Sequence, residues 1–274
     1  MALFHSFVAG SSIDEAVEVC RPFNRDGIAC SLSYLPISQT DPQAVEADAS
    51  EYLSALETIG REQLDADLTI KLHQLGIHGD PPLAETAVRR IVAAAEAAGS
   101  FVWIDMETRE TVDATIEIYR RVASASPSVG ICLQAYLERT DEDLDRLLDE
   151  GAAVRLVKGF YRRNDVASWR EVTRRYSTLM VRLLDRSPRP AIATHDLDLV
   201  EQTVAILRRK ALCAAELQFF LGVRDELARE LRAQGLKVRI YIPYGRVARY
   251  WFSGFRTFDL RRQAQRLMGF RPRP

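Results

Sequence analysis

Little in this sequence points to a metal centre or a disulfide framework. Its 274 residues include four cysteines, Cys20, Cys30, Cys132 and Cys213, with no CxxC spacing. Neither a structural zinc site nor a cross-linked scaffold is therefore expected, and a reducing compartment fits. Histidine is as scarce. His5, His73, His78 and His195 show no ligand spacing, and inward carboxylates are too few for metal-dependent hydrolysis, so no metal is expected. No apolar run approaches the roughly 18 residues of a membrane helix. The N-terminal stretch MALFHSFVAG lacks a cationic start and runs into Asp14-Glu15, so it is not read as a signal peptide and a cytoplasmic location is expected. Charge of one sign is missing too. With 37 Lys and Arg against 38 Asp and Glu, the net charge is −1, which offers no field to gather nucleic acid.

What is present is regular alternation. Apolar β-rich runs at 28–35, 68–72, 101–105, 130–136, 154–161, 191–194, 216–219 and 237–242 predict eight strands. Between them, helical periodicity covers 42–58, 81–99, 112–123, 140–150, 166–184, 199–210 and 225–234, and another helical segment starts near 246. An additional helix precedes the first strand: Ser12-Ile13-Asp14-Glu15 has capping-box spacing, and the helical face continues to about Phe23. Asp80 before Pro81-Pro82, with Gly99 at the far end, marks a helix start and stop. Strands recur at about thirty residues, the size of one βα unit, which predicts a single (β/α)8 barrel domain over residues 1–274. The competing doubly wound sheet lacks its glycine-rich phosphate loop after the first strand.

The strands also carry chemistry. Their apolar residues occupy one face, and on the other sit Thr69 and Lys71, Asp105, Gln134, Arg155, Glu216 and Gln218, and Tyr241. Arg155 and Lys158 stand out, because an unpaired charge inside a sheet is costly. They could snorkel to water at the strand end, but six strands break the apolar pattern in the same way, mostly near their C-terminal ends. A barrel builds its site there.

These residues fall into segments that resemble the proline dehydrogenases. The resemblance is carried by Phe7-Val8-Ala9-Gly10, Leu32-Ser33-Tyr34-Leu35, Ile70-Lys71-Leu72, Ile104-Asp105-Met106-Glu107 and Leu133-Gln134-Ala135-Tyr136-Leu137. It continues through Arg155-Leu156-Val157-Lys158-Gly159, Ala193-Thr194-His195-Asp196, Glu216-Leu217-Gln218, Gly222-Val223-Arg224-Asp225-Glu226-Leu227 and Tyr241-Ile242-Pro243-Tyr244-Gly245. The order of the segments, on successive strands, makes it specific. The resemblance implies FAD across the C-terminal mouth of the barrel. Gln134 and Arg155 would touch the isoalloxazine, while Lys158, Gly159, Thr194 and His195 would line the ribityl and pyrophosphate region. Glu216 and Gln218 are grouped with the cofactor side. Lys71, Asp105 and Tyr241 would shape the substrate pocket, with Asp105 holding cations in place rather than acting as a base. The implied reaction moves a hydride from a carbon beside an amine to flavin N5, leaving an imine.

One element departs from the family. Its last helix carries two adjacent arginines that clamp the substrate carboxylate. Counting from Tyr241 puts Arg256 on the first and Thr257 on the second; aligning Tyr250 with the family tyrosine puts Ser253 and Gly254 there instead. The expectation is therefore a small amine or amino acid other than proline, with Arg256 binding its anionic group. Authentic proline oxidation is the alternative, and a flavin-less binding or scaffolding barrel is a third reading. Residues 246–274 hold eight arginines and one acid. This fits a solvated helix face, or a surface that meets anionic lipid at the membrane. The electron acceptor, quinone or oxygen, stays open.

Overall fold

The computed structural model describes residues 7–36, 41–159 and 168–246. Eight parallel strands close into a barrel in sequence order: β1 (Ala29–Tyr34), β2 (Ala66–Ile70), β3 (Val102–Ile104), β4 (Val129–Gln134), β5 (Val154–Val157), β6 (Pro190–Ala193), β7 (Glu216–Phe220) and β8 (Lys237–Tyr244). Seven helices link them: α2 (Pro42–Arg61), α3 (Pro81–Ala97), α4 (Val112–Ala123), α5 (Thr140–Asp149), α6 (Trp169–Arg186), α7 (Leu197–Lys210) and α8 (Asp225–Ala233). The additional helix α1 (Ile13–Arg25) starts with the expected capping box, in which Ser12 and Glu15 satisfy each other's backbone N–H. It packs Ala16, Cys20 and Phe23 into the core beside β1 and β8. The barrel predicted from strand spacing is the fold observed. Among the described residues, no helix is long and apolar enough to cross a membrane.

Two faces of the sheet do different work. Leu68, Ile70, Val102, Ile104, Ile131, Leu156, Leu217 and Ile240 belong to the continuous apolar core shared with the helices, and each is fully buried. Full burial of such a side chain stabilises by about 1.5–3 kcal/mol, so this outer layer holds the barrel together. Many of the alternate residues point inward and are polar: Ser31, Asp67, Thr69, Arg155, Glu216, Gln218 and Arg239 are all buried, with Trp103, Cys132 and Ala191 set among them.

Some boundaries moved for identifiable reasons. β2 covers 66–70 rather than 68–72, because the chain turns at Lys71 into a 3-10 turn (Leu72–Leu75) closed by left-handed Gly76. α7 begins at 197 rather than 199, where the Asp196 carboxylate accepts the Asp198 N–H. α6 begins at 169, capped by Ser168. β8 runs on to Tyr244, paired with Tyr34 of β1.

Candidate active site

The barrel interior is a stack of charged layers. At its floor Arg239 of β8 lies between two carboxylates, with Nε 2.9 Å from Glu216 Oε1 and Nη1 3.1 Å from Asp67 Oδ2. Arg239 also donates to the Cys30 carbonyl at 2.7 Å, and the Trp103 indole N–H donates to Asp67 at 3.0 Å. Two acids share one guanidinium, and their protonation equilibria diverge. Burial would raise Glu216, but Arg239 overrides it and holds Glu216 below the usual carboxylate range. Asp67 is pushed up by burial in spite of Arg239, and its Oδ1 has no partner among the described residues.

Above the floor, Gln218 links this layer to the next. Its amide N–H donates to Glu216, and its carbonyl oxygen faces Arg155 Nη1 at 3.5 Å. Arg155 also donates to Thr69 Oγ1 at 3.0 Å, and Thr69 bonds Ser31 at 2.9 Å. The guanidinium carbon lies 5.3 Å from the Trp103 ring centre and 5.9 Å from that of Tyr241, within cation–π range.

Just beyond the C-terminal ends of β2 and β3, Lys71 and Asp105 meet Arg155, the second residue of β5, which reaches up from inside the barrel. Arg155 Nη2 lies 2.6 Å from Asp105 Oδ1, and Lys71 Nζ donates to Oδ2. Burial would raise the Asp105 pKa, but the two cations outweigh it and hold the carboxyl below its ordinary range. Asp105 is thus an ionised bridge, a poor base. Tyr241 completes this side and donates from its hydroxyl to Ser33 at 2.8 Å.

The remaining predicted residues lie along the same rim. The Gln134 amide donates to the carbonyls of Met106 and Glu107 at 2.8 and 2.7 Å. Lys158 reaches Asp196 at 2.6 Å and Thr173 at 2.8 Å, which ties it to the start of α7. Thr194 accepts the Asp196 N–H. His195 Nε2 accepts the Phe220 N–H at 2.8 Å, so the ring proton sits on Nδ1 as a donor. Burial, with Arg224 and Lys158 nearby, pushes His195 down to about 4, so it is neutral at pH 7. Arg256 and the Ser253-Gly254 pair lie outside the described residues.

Gly159 allows the backbone to pass this rim closely. Its φ of +107° suits only glycine, and a Cβ there would lie 1.6 Å from a Tyr136 ring carbon. Tyr136 has little room to retreat, because Arg175 of α6 holds the carbonyls of Ala135 and Leu137 on either side of it. Gly159→Ala is expected to cost on the order of 3 kcal/mol, from backbone strain plus overpacking. A thermal unfolding midpoint equal to that of the parent would refute this.

Sequence reasoning named Glu216 but missed its two floor partners, Asp67 and Arg239. Asp67 lies two residues before Thr69, outside the strand as predicted, and Arg239 lies two before Tyr241 on the same inward face. The alternation that exposed Tyr241 could have found Arg239. Asp196 and Glu107 sat inside the quoted motifs with no role attached. A surface hollow of about 570 Å³ lined by Arg109, Asp113, Arg139 and Arg146 contains no predicted site residue.

Comparison with known proteins identifies the family and supports the fold. A family model described as proline dehydrogenase matches residues 16–251. Proline dehydrogenase 1 of Bacillus subtilis subsp. natto is 32% identical over 265 residues, which cover 95% of this chain and 85% of that protein. The proline dehydrogenase of Deinococcus radiodurans is 31% identical over 263 residues, 92% of this chain and 84% of that one. Among solved structures, proline utilization A from Bdellovibrio bacteriovorus, inactivated by N-propargylglycine, superposes with a TM-score of 0.82 at 18% identity, covering 100% of this chain. The corresponding protein from Corynebacterium freiburgense gives 0.80 at 18% identity over 97% of this chain. This chain spans 36% and 32% of those two longer proteins, so they attest the barrel alone. With one family model over most of its length and relatives above 30% identity across it, the chain belongs to the proline dehydrogenase family.

Proposed function

We propose that this chain is an FAD-dependent proline dehydrogenase, converting L-proline to pyrroline-5-carboxylate. The observation that carries the reading is the Lys71–Asp105–Arg155 bridge at the barrel mouth, with Tyr241 beside it. The donor set suits an anionic dinucleotide: Lys158, the His195 Nδ1–H and Arg155 are arrayed along one rim, and Gly159 removes the side chain where the rim is tightest. Bound FAD would supply the hydride acceptor. Arg155 would place fixed positive charge by the flavin and Gln134 would lie along it. Lys158, Thr194 and His195 would hold the phosphate and ribityl portion. Lys71 and Tyr241 would wall the substrate pocket. Asp105 keeps both cations oriented without taking a proton.

A second reading, a different secondary amine, rests on one observation: Thr257 stands where one alignment puts the second clamp arginine. A site with one arginine in place of two should bind a carboxylate more weakly, by roughly 2–5 kcal/mol if the lost contact was buried. The relatives favour proline, since all those compared are named for it. Reoxidation by a membrane quinone is the acceptor reading favoured by the arginine-rich residues 246–274, of which 247–274 lie outside the described residues.

The protein loaded with FAD is expected to bleach anaerobically with L-proline, at a catalytic efficiency of about 10⁴ M⁻¹s⁻¹ or more with a quinone-like dye. Bleaching by another secondary amine, with none by proline, would favour the second reading. A protein that stays colourless with excess FAD would end both.

A further inference from the structure

The pairing of β2 with β3 does not stop where the strands do. Ile70 faces Ile104, and the Asp105 N–H still donates to the Ile70 carbonyl at 2.9 Å. Just past the strand ends Lys71 pairs with Asp105, and two residues further on His73, already inside the 3-10 turn, pairs with Glu107. The outer pair is the more closely fitted. One Glu107 oxygen takes the His73 backbone N–H at 3.0 Å, and the other takes its ring Nδ1–H. The Glu107 side chain is only 8% exposed, so this carboxylate is committed to a single residue through two bonds. A buried carboxylate with two donors in fixed directions is a rigid link.

Both ends of that link lead to the site. On the main-chain side, the Glu107 and Met106 carbonyls together receive the Gln134 amide N–H group. That leaves the Gln134 carbonyl oxygen with a defined direction. On the His73 side, the neighbouring Gln74 is anchored by the Tyr52 hydroxyl and by its own bond to the Tyr34 carbonyl at 3.2 Å. The 3-10 turn that begins just after Lys71 is therefore pinned from β1 and α2 on one flank and by Glu107 on the other.

We propose that Glu107 is a positioning residue for the reaction: its two hydrogen bonds to His73 keep Lys71 against Asp105 and help fix the Gln134 amide. Substrate pocket and cofactor face are thereby set by one buried carboxylate. This rests on the reading of the rim as a flavin site. A bare structural staple between two loops would affect stability alone. A positioning link also changes the electrostatic surroundings of the flavin and the alignment of the reacting groups, and a misplacement of about 1 Å can lower a rate on the order of 10²-fold.

The test compares FAD-loaded parent, Glu107→Ala, Glu107→Gln and His73→Ala. The flavin reduction potential is measured by titration with dithionite against a reference dye, which needs no substrate. In Glu107→Ala the ratio of reduced to oxidised flavin at a fixed potential is expected to change about tenfold, or ~30 mV for a two-electron couple. The rate of flavin reduction at saturating L-proline should fall about tenfold or more. Glu107→Gln, which still accepts the His73 N–H, should return both readouts to within roughly threefold of the parent, and His73→Ala, which keeps only the backbone bond, should fall between. Parent-like potential and rate in Glu107→Ala, whatever its melting temperature, would overturn the proposal. So would a Glu107→Gln protein as impaired as the alanine variant. If Glu107→Ala does not hold FAD, His73→Ala decides on the same two readouts. If the parent binds FAD but is not reduced by proline, the substrate reading fails while the potentials still judge Glu107.

Discussion

Replacing Asp105 with alanine is expected to lower the rate of flavin reduction by proline about 10³-fold, and to cost about 3–5 kcal/mol of folding stability. The carboxylate is the counter-ion for both Lys71 and Arg155. Arg155 is 2% exposed and Lys71 9%, so neither cation can turn to water without moving the strand that carries it. Removing the shared partner leaves two like charges facing each other in a desolvated barrel mouth, and an uncompensated buried charge is the expensive half of a broken pair. Catalysis should suffer for the same reason, since repulsion drives Lys71 and Arg155 out of the positions that wall the pocket. Asp105→Asn should be gentler on stability, because an amide oxygen still accepts one bond, yet it lacks the charge that both cations require.

The effect has a definite pH signature. In the folded protein the Asp105 pKa lies below its ordinary value, because Lys71 and Arg155 outweigh the burial that would raise it. A lowered carboxyl contributes stability that is fully present above the unfolded value of about 3.9 and is lost as pH falls through the folded value. The stability gap between parent and Asp105→Ala should therefore be full at pH 7 and shrink below about pH 4. Urea unfolding of both proteins across that range measures it. A gap that is absent at pH 7, or that widens in acid, would show that the bridge does not stabilise the fold.

The second large effect is expected at the floor. Arg239→Met should cost about 3–5 kcal/mol, because Asp67 and Glu216 would be left buried with no cation between them. Methionine replaces much of the lost volume, so the cost reads charge more than cavity. Adding Asp67→Asn and Glu216→Gln to Arg239→Met removes both orphaned charges and should recover most of the loss. Buried ionic clusters exchanged as a unit often come out near neutral. Denaturant midpoints of the single and triple variants decide it. A single variant as stable as the parent would mean that water or protonation already neutralises the two acids. The floor also bears on the site, since Glu216 receives the Gln218 amide and Gln218 faces Arg155. Glu216 and Gln218 thus reach the rim through Arg155.

Inward residues are legible in a correctly bounded strand, although Arg239, on the same face as Tyr241 within 237–242, was passed over. Alternation along 216–219 and 237–242 exposes Glu216, Gln218 and Tyr241, because a side chain two residues on returns to the same face. It failed at Asp67. The apolar run there begins at Leu68, and a strand assigned by hydrophobicity starts too late to include an acid at its second position. Glu107 was missed for another reason. It lies beyond the end of its strand, where nothing in local composition says that the 3-10 turn after β2 brings His73 to it. His195 was placed on the cofactor side by the family resemblance alone. Its tautomer could be assigned only once Phe220 N–H was found against Nε2. The substrate reading followed the altered arginine pair, while similarity over most of the chain favours proline.

What the sequence determined by itself is what depends on near neighbours. Helix caps at Ser12 and Asp80, eight apolar runs at βα spacing, and the split between an outer apolar and an inner polar face are all set within a few residues of chain. Only the tertiary structure decided which charges meet. Asp105 lies 34 residues from Lys71 and 50 from Arg155, and Arg239 lies 23 from Glu216. Those separations carry no local signal. Closure of the barrel, with its strand stagger, places those atoms within hydrogen-bonding distance. At that distance, in an interior too dry to solvate a lone charge, each cation must have its carboxylate.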